Sequence, residues 1–98
     1  MIIRKILSNP AADLLTFDRT VIVREIYIMS SVINNVVMTF DSSGAYTPTP
    51  AWATNIIRCY VLATTVFRVA NINVECKTIN FSTSAANCEA IVFFDYKK

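Results

Sequence analysis

The amino-acid sequence predicts an all-β protein, a single antiparallel β-sandwich or jelly-roll-like barrel of about seven short strands in one domain that spans residues 1–98. Three observations support this prediction. β-branched and aromatic residues dominate most of the apolar stretches. Turn-forming residues separate these stretches roughly every ten positions. Within several stretches the apolar residues alternate with a period of two, which is the period of a half-buried strand.

The longest strand-like stretch is RTVIVREIYIM, residues 19–29, and we expect the rest of the chain to be organised around it. If this strand is regular, successive side chains point to opposite faces of the sheet. One face would then carry Val21, Val23, Glu25, Tyr27 and Met29, and the other would carry Ile22, Arg24, Ile26 and Ile28. Both faces are mostly apolar, so a second sheet or a second copy of the protein must cover them.

The remaining strands are expected on either side of this stretch. Residues 2–7 form a first strand with Arg4 and Lys5, charges that are typical of a sheet edge. A turn near Pro10 leads into the central strand. Residues 30–35 contain turn formers before VVMTF, which together indicate a hairpin. The later strands are predicted at residues 71–81 and 88–96, separated by a polar loop at 82–87.

The segment at residues 51–70 could form either a helix or two strands. Trp52, Ile56 and Phe67 fall at a helical spacing, which would place a helix here. The density of Thr, Ile and Val argues against a helix, because β-branched side chains lose rotamer freedom against the preceding turn. We therefore predict two strands, at residues 56–62 and 65–70.

The composition indicates that part of the surface meets a partner. Apolar residues make up 54% of the chain and charged residues only 16%, whereas about 25% charged is usual. A domain of this size has much surface to cover, so the excess of apolar side chains predicts contact with other molecules. The alternative is a monomer with scattered exposed apolar residues, which are normal on protein surfaces.

Charge, apolar runs and cysteine spacing argue against several classes of protein. The net charge is +2 and the basic residues are scattered, so no footprint for nucleic acid is present. The sequence carries no signal-peptide pattern and no apolar run long enough to cross a bilayer. Cys59, Cys76 and Cys88 have spacings that fit neither a closed disulfide set nor a zinc site. They are predicted to be buried thiols of a protein from a reducing compartment.

The residues needed for most catalysis are missing. The chain contains no histidine, which removes the commonest general base and the usual zinc ligand. Its single glycine, Gly44, cannot form a glycine-rich phosphate cradle. The seven carboxylates are not paired within any one element. We therefore predict no enzyme activity, no catalytic residues, no cofactor and no metal.

The candidate interaction residues come from two regions. Tyr46 and Trp52 belong to the proline-containing loop that starts at residue 41, and both are types enriched at interface hot spots. Trp52 folded back onto the sandwich is the alternative. Ile26, Ile91 and Phe93 lie in strands that are apolar on both sides, so each contributes either to the core or to an interface.

The chain resembles the small β-sandwich accessory proteins of bacteriophage particles. The resemblance rests on the absence of histidine, the single glycine, the Asn, Thr and Ser between apolar strands, and the aromatic C-terminal strand IVFFDY. It implies a non-enzymatic structural subunit that decorates a capsid or serves in the neck or tail. Its partners would be its own copies and other virion proteins, without a membrane or nucleic acid. Such a protein is assembled in the host cytoplasm and resides in the virion. The excess of apolar side chains independently predicts a closed oligomer, most economically a trimer. The alternative is a soluble β-barrel domain that binds a peptide or single-stranded nucleic acid.

Overall fold

The computed structural model describes residues 1–8, 13–42 and 56–98. Its elements are seven strands: β1 (Ile2–Leu7), β2 (Asp13–Ser30), β3 (Asn34–Asp41), β4 (Ile56–Val61), β5 (Val66–Val69), β6 (Val74–Thr83) and β7 (Cys88–Tyr96). Every pairing between them is antiparallel. The described ranges contain no helix, so the all-β prediction is confirmed.

The strands form one sheet in the order β1-β7-β2-β6-β3-β4, with β5 also paired to β2. The 18-residue strand β2 belongs to both halves of this sheet. Its first part pairs with β6, and its last part lies between β7 and β5. The long strand therefore joins two smaller sheets, β1-β7-β2-β5 and β2-β6-β3-β4. The prediction that this stretch organises the chain is confirmed.

One hydrophobic core lies between the two halves. It receives Ile26, Ile28 and Val92 from one half and Met38 and Phe81 from the other, all of them fully buried. Burial of a side chain of this size contributes roughly 1.5–3 kcal/mol. The shared core makes the folded sheet a β-sandwich, as the sequence predicts.

A β-bulge at Arg24 corrects the predicted faces of the central strand. Val23 pairs with Phe94 and Glu25 with Phe93, so Arg24 has no opposing residue in β7. The extra residue reverses which side chains point inward. Val21 and Val23 are buried before the bulge, and Ile26 and Ile28 are buried after it. The prediction that residues 21–29 keep one alternation throughout is therefore wrong.

The predicted hairpin between the central strand and VVMTF is also wrong. β3 pairs with β6 and β4, and not with β2. The reason lies in the edges of β2, because residues 26–29 already have β7 on one side and β5 on the other. No edge remains for β3, so residues 31–33 carry the chain to the other half of the sandwich.

Other predicted elements are confirmed with shifted boundaries. β4 and β5 show that residues 56–70 form two strands rather than a helix. β1 lies at the end of the strand order, as expected of an edge. β2 begins at Asp13, earlier than predicted. The predicted turn near Pro10 and the loop positions Tyr46 and Trp52 lie outside the described residues.

Candidate interaction surface

The solvent-facing side of β1-β7-β2-β5 carries side chains from four neighbouring strands that lie in register. Directly paired residues share a face of a sheet, so the register arranges this surface in three rows across the strands. The rows are Ile2, Phe93 and Glu25; Arg4, Ile91, Tyr27 and Arg68; and Ile6, Glu89, Met29 and Val66. We call these residues the outer face.

The outer face is largely apolar and partly open to solvent. Ile2 is 63% exposed, Ile6 is 51% exposed and Val66 is 58% exposed. Between them lie half-buried side chains such as Tyr27 and Phe93, whose rings meet edge to face at 5.5 Å. Large apolar side chains that cluster on one surface typically mark a contact site, whereas scattered ones do not.

Two ion pairs lie on the outer face and cancel its charge. Arg4 Nε donates to Glu89 Oε2, and Arg68 Nε donates to Glu25 Oε1. The hydrogen bond from Arg68, reinforced by one from Tyr27, lowers the pKa of Glu25. The same contact with Glu25 raises the pKa of Arg68. The surface therefore presents two positive and two negative side chains with a net charge of zero.

Among the described strands β1 lies at the end of the sheet, and its outer edge is protected against a further strand. Lys5 pairs with the buried Ala90 and therefore points toward the inner side of the sheet. An inward-pointing charge on an edge strand opposes the addition of another strand, because pairing would bury that charge. Contact through the outer face is consequently more favourable than contact through this edge.

An open groove crosses one end of the outer face. Its volume is about 430 Å³, within the range of roughly 300–1,000 Å³ that ligand sites occupy. Ile6, Met29 and Val66 provide its apolar lining, while Ser31 and Asn87 add polar groups. The third row of the outer face therefore borders a recess.

Hydrogen bonds fix the turns that border the groove. Thr64 N donates to Ser30 O at 2.8 Å, and Ser31 N donates to Asn87 O at 3.2 Å. Asn34 is fully buried, donates through Nδ2 to Ala85 O at 2.9 Å, and accepts at Oδ1 from Ser84 N at 3.0 Å. The groove is thus preformed, since its walls are connected to one another.

The predicted interaction residues have different outcomes. Ile91 and Phe93 lie on the outer face, half-buried, where a partner can reach them. Ile26 is fully buried in the core, so its assignment as an interaction residue is wrong. The bulge is the physical reason, because it turns Ile26 inward. Tyr46 and Trp52 fall outside the described residues.

Sequence reasoning missed Ile2, Ile6, Met29 and Val66. These residues form one surface only because β1, β7, β2 and β5 are neighbours, and they come from distant parts of the chain. The alternation in IIRKIL was the available signal, since it places Ile2, Arg4 and Ile6 on one side.

The described residues show no centre for metal chemistry. Residues 1–8, 13–42 and 56–98 contain no cluster of three or more Cys, Asp or Glu side chains placed to hold a metal ion. Cys59, Cys76 and Cys88 are buried and free, which confirms the prediction of buried thiols. Burial raises the pKa of Cys76 to about 12 and that of Cys59 to about 11. In the same ranges, no helical segment has the length and apolarity of a transmembrane helix.

No protein-family model matches the chain, and neither a curated protein nor a solved structure shows significant similarity to it.

Proposed function

We propose that this protein is a non-enzymatic structural subunit that assembles with copies of itself through the outer face. The observation that carries the proposal is the combination of exposed Ile2, Ile6 and Val66 with ion pairs that leave no net charge. A second copy presents the same neutral, apolar surface. Contact between two such faces buries apolar area without leaving a charge unpaired.

The sandwich architecture also suits a structural role. Its strands are joined in one sheet around one core, and the turns beside the groove are tied by hydrogen bonds. A subunit of this kind contributes a rigid surface rather than a reactive site. Together with the resemblance in composition to phage accessory proteins, this supports the proposal of a virion component that decorates a capsid or serves in the neck or tail.

A pair of substitutions tests self-assembly. Ile91→Asp places a carboxylate in the middle of the outer face, beside Arg4, and should reduce the native mass while the protein remains folded. Leu14→Asp is the matched control, because Leu14 is an exposed apolar residue in the other half of the sandwich. Equal native masses for wild-type and Ile91→Asp, both above the monomer mass, would show that another surface mediates assembly.

The virion role has a separate test. Mass-spectrometric sequencing of purified particles from the source of this sequence should recover its peptides in a fixed ratio to a main capsid or tail protein. Particles that lack the protein would contradict the virion role. Salt-dependent retention of the pure protein on a polyanion column would instead favour the single-stranded nucleic-acid domain.

A further inference from the structure

The outer face carries exposed and half-buried apolar side chains at one end and the groove at the other. Ile2 and Phe93 lie in the first row, whereas Ile6 and Glu89 line the groove, which extends to Arg4 in the middle row. Phe93 and Glu89 are four residues apart on β7, which corresponds to roughly 14 Å along a strand. Ile91 lies midway between them. The first and the third row are therefore equally distant from the middle row.

We propose that the outer face pairs with that of a second copy about a two-fold axis that crosses the strands along the row of Arg4 and Ile91. This rests on the proposed function and specifies its geometry. In a two-fold contact, if residue i of the first copy meets residue j of the second, then residue j of the first copy also meets residue i of the second. The rotation brings Ile2 and Phe93 of the second copy over Ile6 and Glu89, so each copy fills the groove of the other.

The charges of the face fit the same rotation. Arg4 lies on the axis row, and Glu89 lies one row to the side of the groove. In the pair, Arg4 faces Arg4 of the second copy, and the Glu89 side chains of the two copies flank these arginines from opposite sides. The two glutamates balance the two arginines, so the four side chains form one neutral cluster. At the other margin of the face, Arg68 also lies on the axis row, and its partner Glu25 lies one row to the side.

The size of the face indicates a weak contact. Four strands at about 4.8 Å spacing give a width of roughly 19 Å, and five residues along β7 give a length of roughly 17 Å. The projected area is roughly 320 Å² on each copy, which lies at the small end of the range, where weak and transient interfaces are found. We therefore expect a dissociation constant in the micromolar range.

Two-fold pairing differs from the trimer that the composition suggests. A closed trimer uses head-to-tail contacts, in which a residue of one copy meets a different residue of the next. A residue on a two-fold axis meets its own counterpart. Ile91 and Phe93 therefore distinguish the two arrangements.

Cross-linking of single added cysteines provides the test. Facing sheets lie about 10 Å apart, too far for a direct disulfide, so a short bismaleimide is the suitable reagent. At about 100 μM protein, Ile91→Cys should give a covalent dimer as the main product. Phe93→Cys alone should link much less, whereas Phe93→Cys mixed with Glu89→Cys should link efficiently. Leu14→Cys is the control for random collision, and the native cysteines are buried.

The outcomes separate this inference from the proposed function. Wild-type protein that stays monomeric by light scattering at about 100 μM, with no linking of Ile91→Cys above the control, overturns both. Wild-type protein that assembles while Ile91→Cys links no better than Phe93→Cys overturns the two-fold arrangement and leaves self-assembly standing.

A groove variant gives an independent readout. Ser31→Arg places a charged side chain in the groove wall and should weaken the pair by at least tenfold. Asn35→Arg is the control, because Asn35 is exposed but does not line the groove. Equal dimer stability in the two variants would show that the groove does not receive the second copy.

Discussion

Arg24 and Asp95 are joined across the bulge of β2, where Arg24 Nε donates to Asp95 Oδ2 at 3.0 Å. The other side of the same guanidinium donates to Asn73 Oδ1 at 2.9 Å. Ile72 N donates to the backbone oxygen of Arg24 at 3.1 Å. The extra residue of the bulge thus connects β7 to the segment between β5 and β6, where Asn71 and Asn73 adopt positive φ.

Deleting Arg24 should leave the protein folded with the same side chains facing the core. Val23 pairs with Phe94 and Glu25 with Phe93, so removal of the residue between them makes the two pairs consecutive and keeps Ile26 and Ile28 inward. Arg24→Ala keeps the bulge and loses only exposed side-chain contacts, so we expect a cost of about 0.5–1 kcal/mol. Urea unfolding of both variants checks this, and a deletion variant that fails to fold would contradict the register around the bulge.

Ile26→Asp and Ile91→Asp should differ sharply in stability. Ile26 is fully buried, so its replacement places an unpaired charge in the core and should cost more than about 4 kcal/mol. Ile91 lies on the outer face beside Arg4, so its replacement should change the free energy of unfolding by less than about 1 kcal/mol. Circular dichroism during urea unfolding distinguishes the two, and similar losses would show that Ile91 also belongs to the core.

Asn34→Ala should destabilise the protein by about 2–3 kcal/mol. The substitution removes the fully buried amide whose hydrogen bonds hold residues 84 and 85. Asn35→Ala is the matched control, because Asn35 is exposed and its backbone contacts remain. Chemical denaturation gives both values, and a loss of less than about 0.5 kcal/mol for Asn34→Ala would contradict its connecting role.

The stabilising effect of Glu25 should disappear in acid. Its pKa in the folded protein is lowered from the usual 4.5 chiefly by the hydrogen bond from Arg68. A lowered pKa means that the carboxylate contributes stability above its unfolded value and loses it as the pH falls through the folded value. The stability difference between wild-type and Glu25→Gln should therefore be constant near neutral pH and should vanish at lower pH than 4.5. A difference that grows on acidification would contradict the ion pair.

The three cysteines should react with a maleimide only through opening of the fold. The thiolate is the reactive form, and burial raises the pKa of Cys76 to about 12. Cys59 and Cys88 are buried as well. Mass spectrometry should detect little labelling of native protein and three labels after denaturation. Rapid labelling of one native cysteine would show that its strand opens locally.

The sequence predicted where strands form better than it predicted which strands lie next to one another in the sheet. The alternation of β7, with Ala90 and Val92 inward and Ile91 and Phe93 outward, follows directly from its period of two. The position of β3 beside β6 depends on which edges of β2 are already occupied. No local pattern encodes that occupancy, and so the predicted hairpin was wrong.

Only part of the outer face could be predicted, because local alternation identifies the faces of a strand but not its pairing. Ile91 and Phe93 could be selected from one strand, because both of its faces are apolar. Ile26 was selected by the same reasoning, but the bulge at Arg24 places it in the core. Bulges depend on the pairing of a strand with its neighbours, so the sequence of β2 alone does not reveal one.

The mass of the wild-type protein in solution, measured by sedimentation equilibrium over a dilution series, tests self-assembly most directly. The chain has a mass of 11.0 kDa. We expect an average mass clearly above this value at about 100 μM, falling toward it on dilution through the micromolar range. A mass of 11.0 kDa at every concentration would contradict assembly through the outer face.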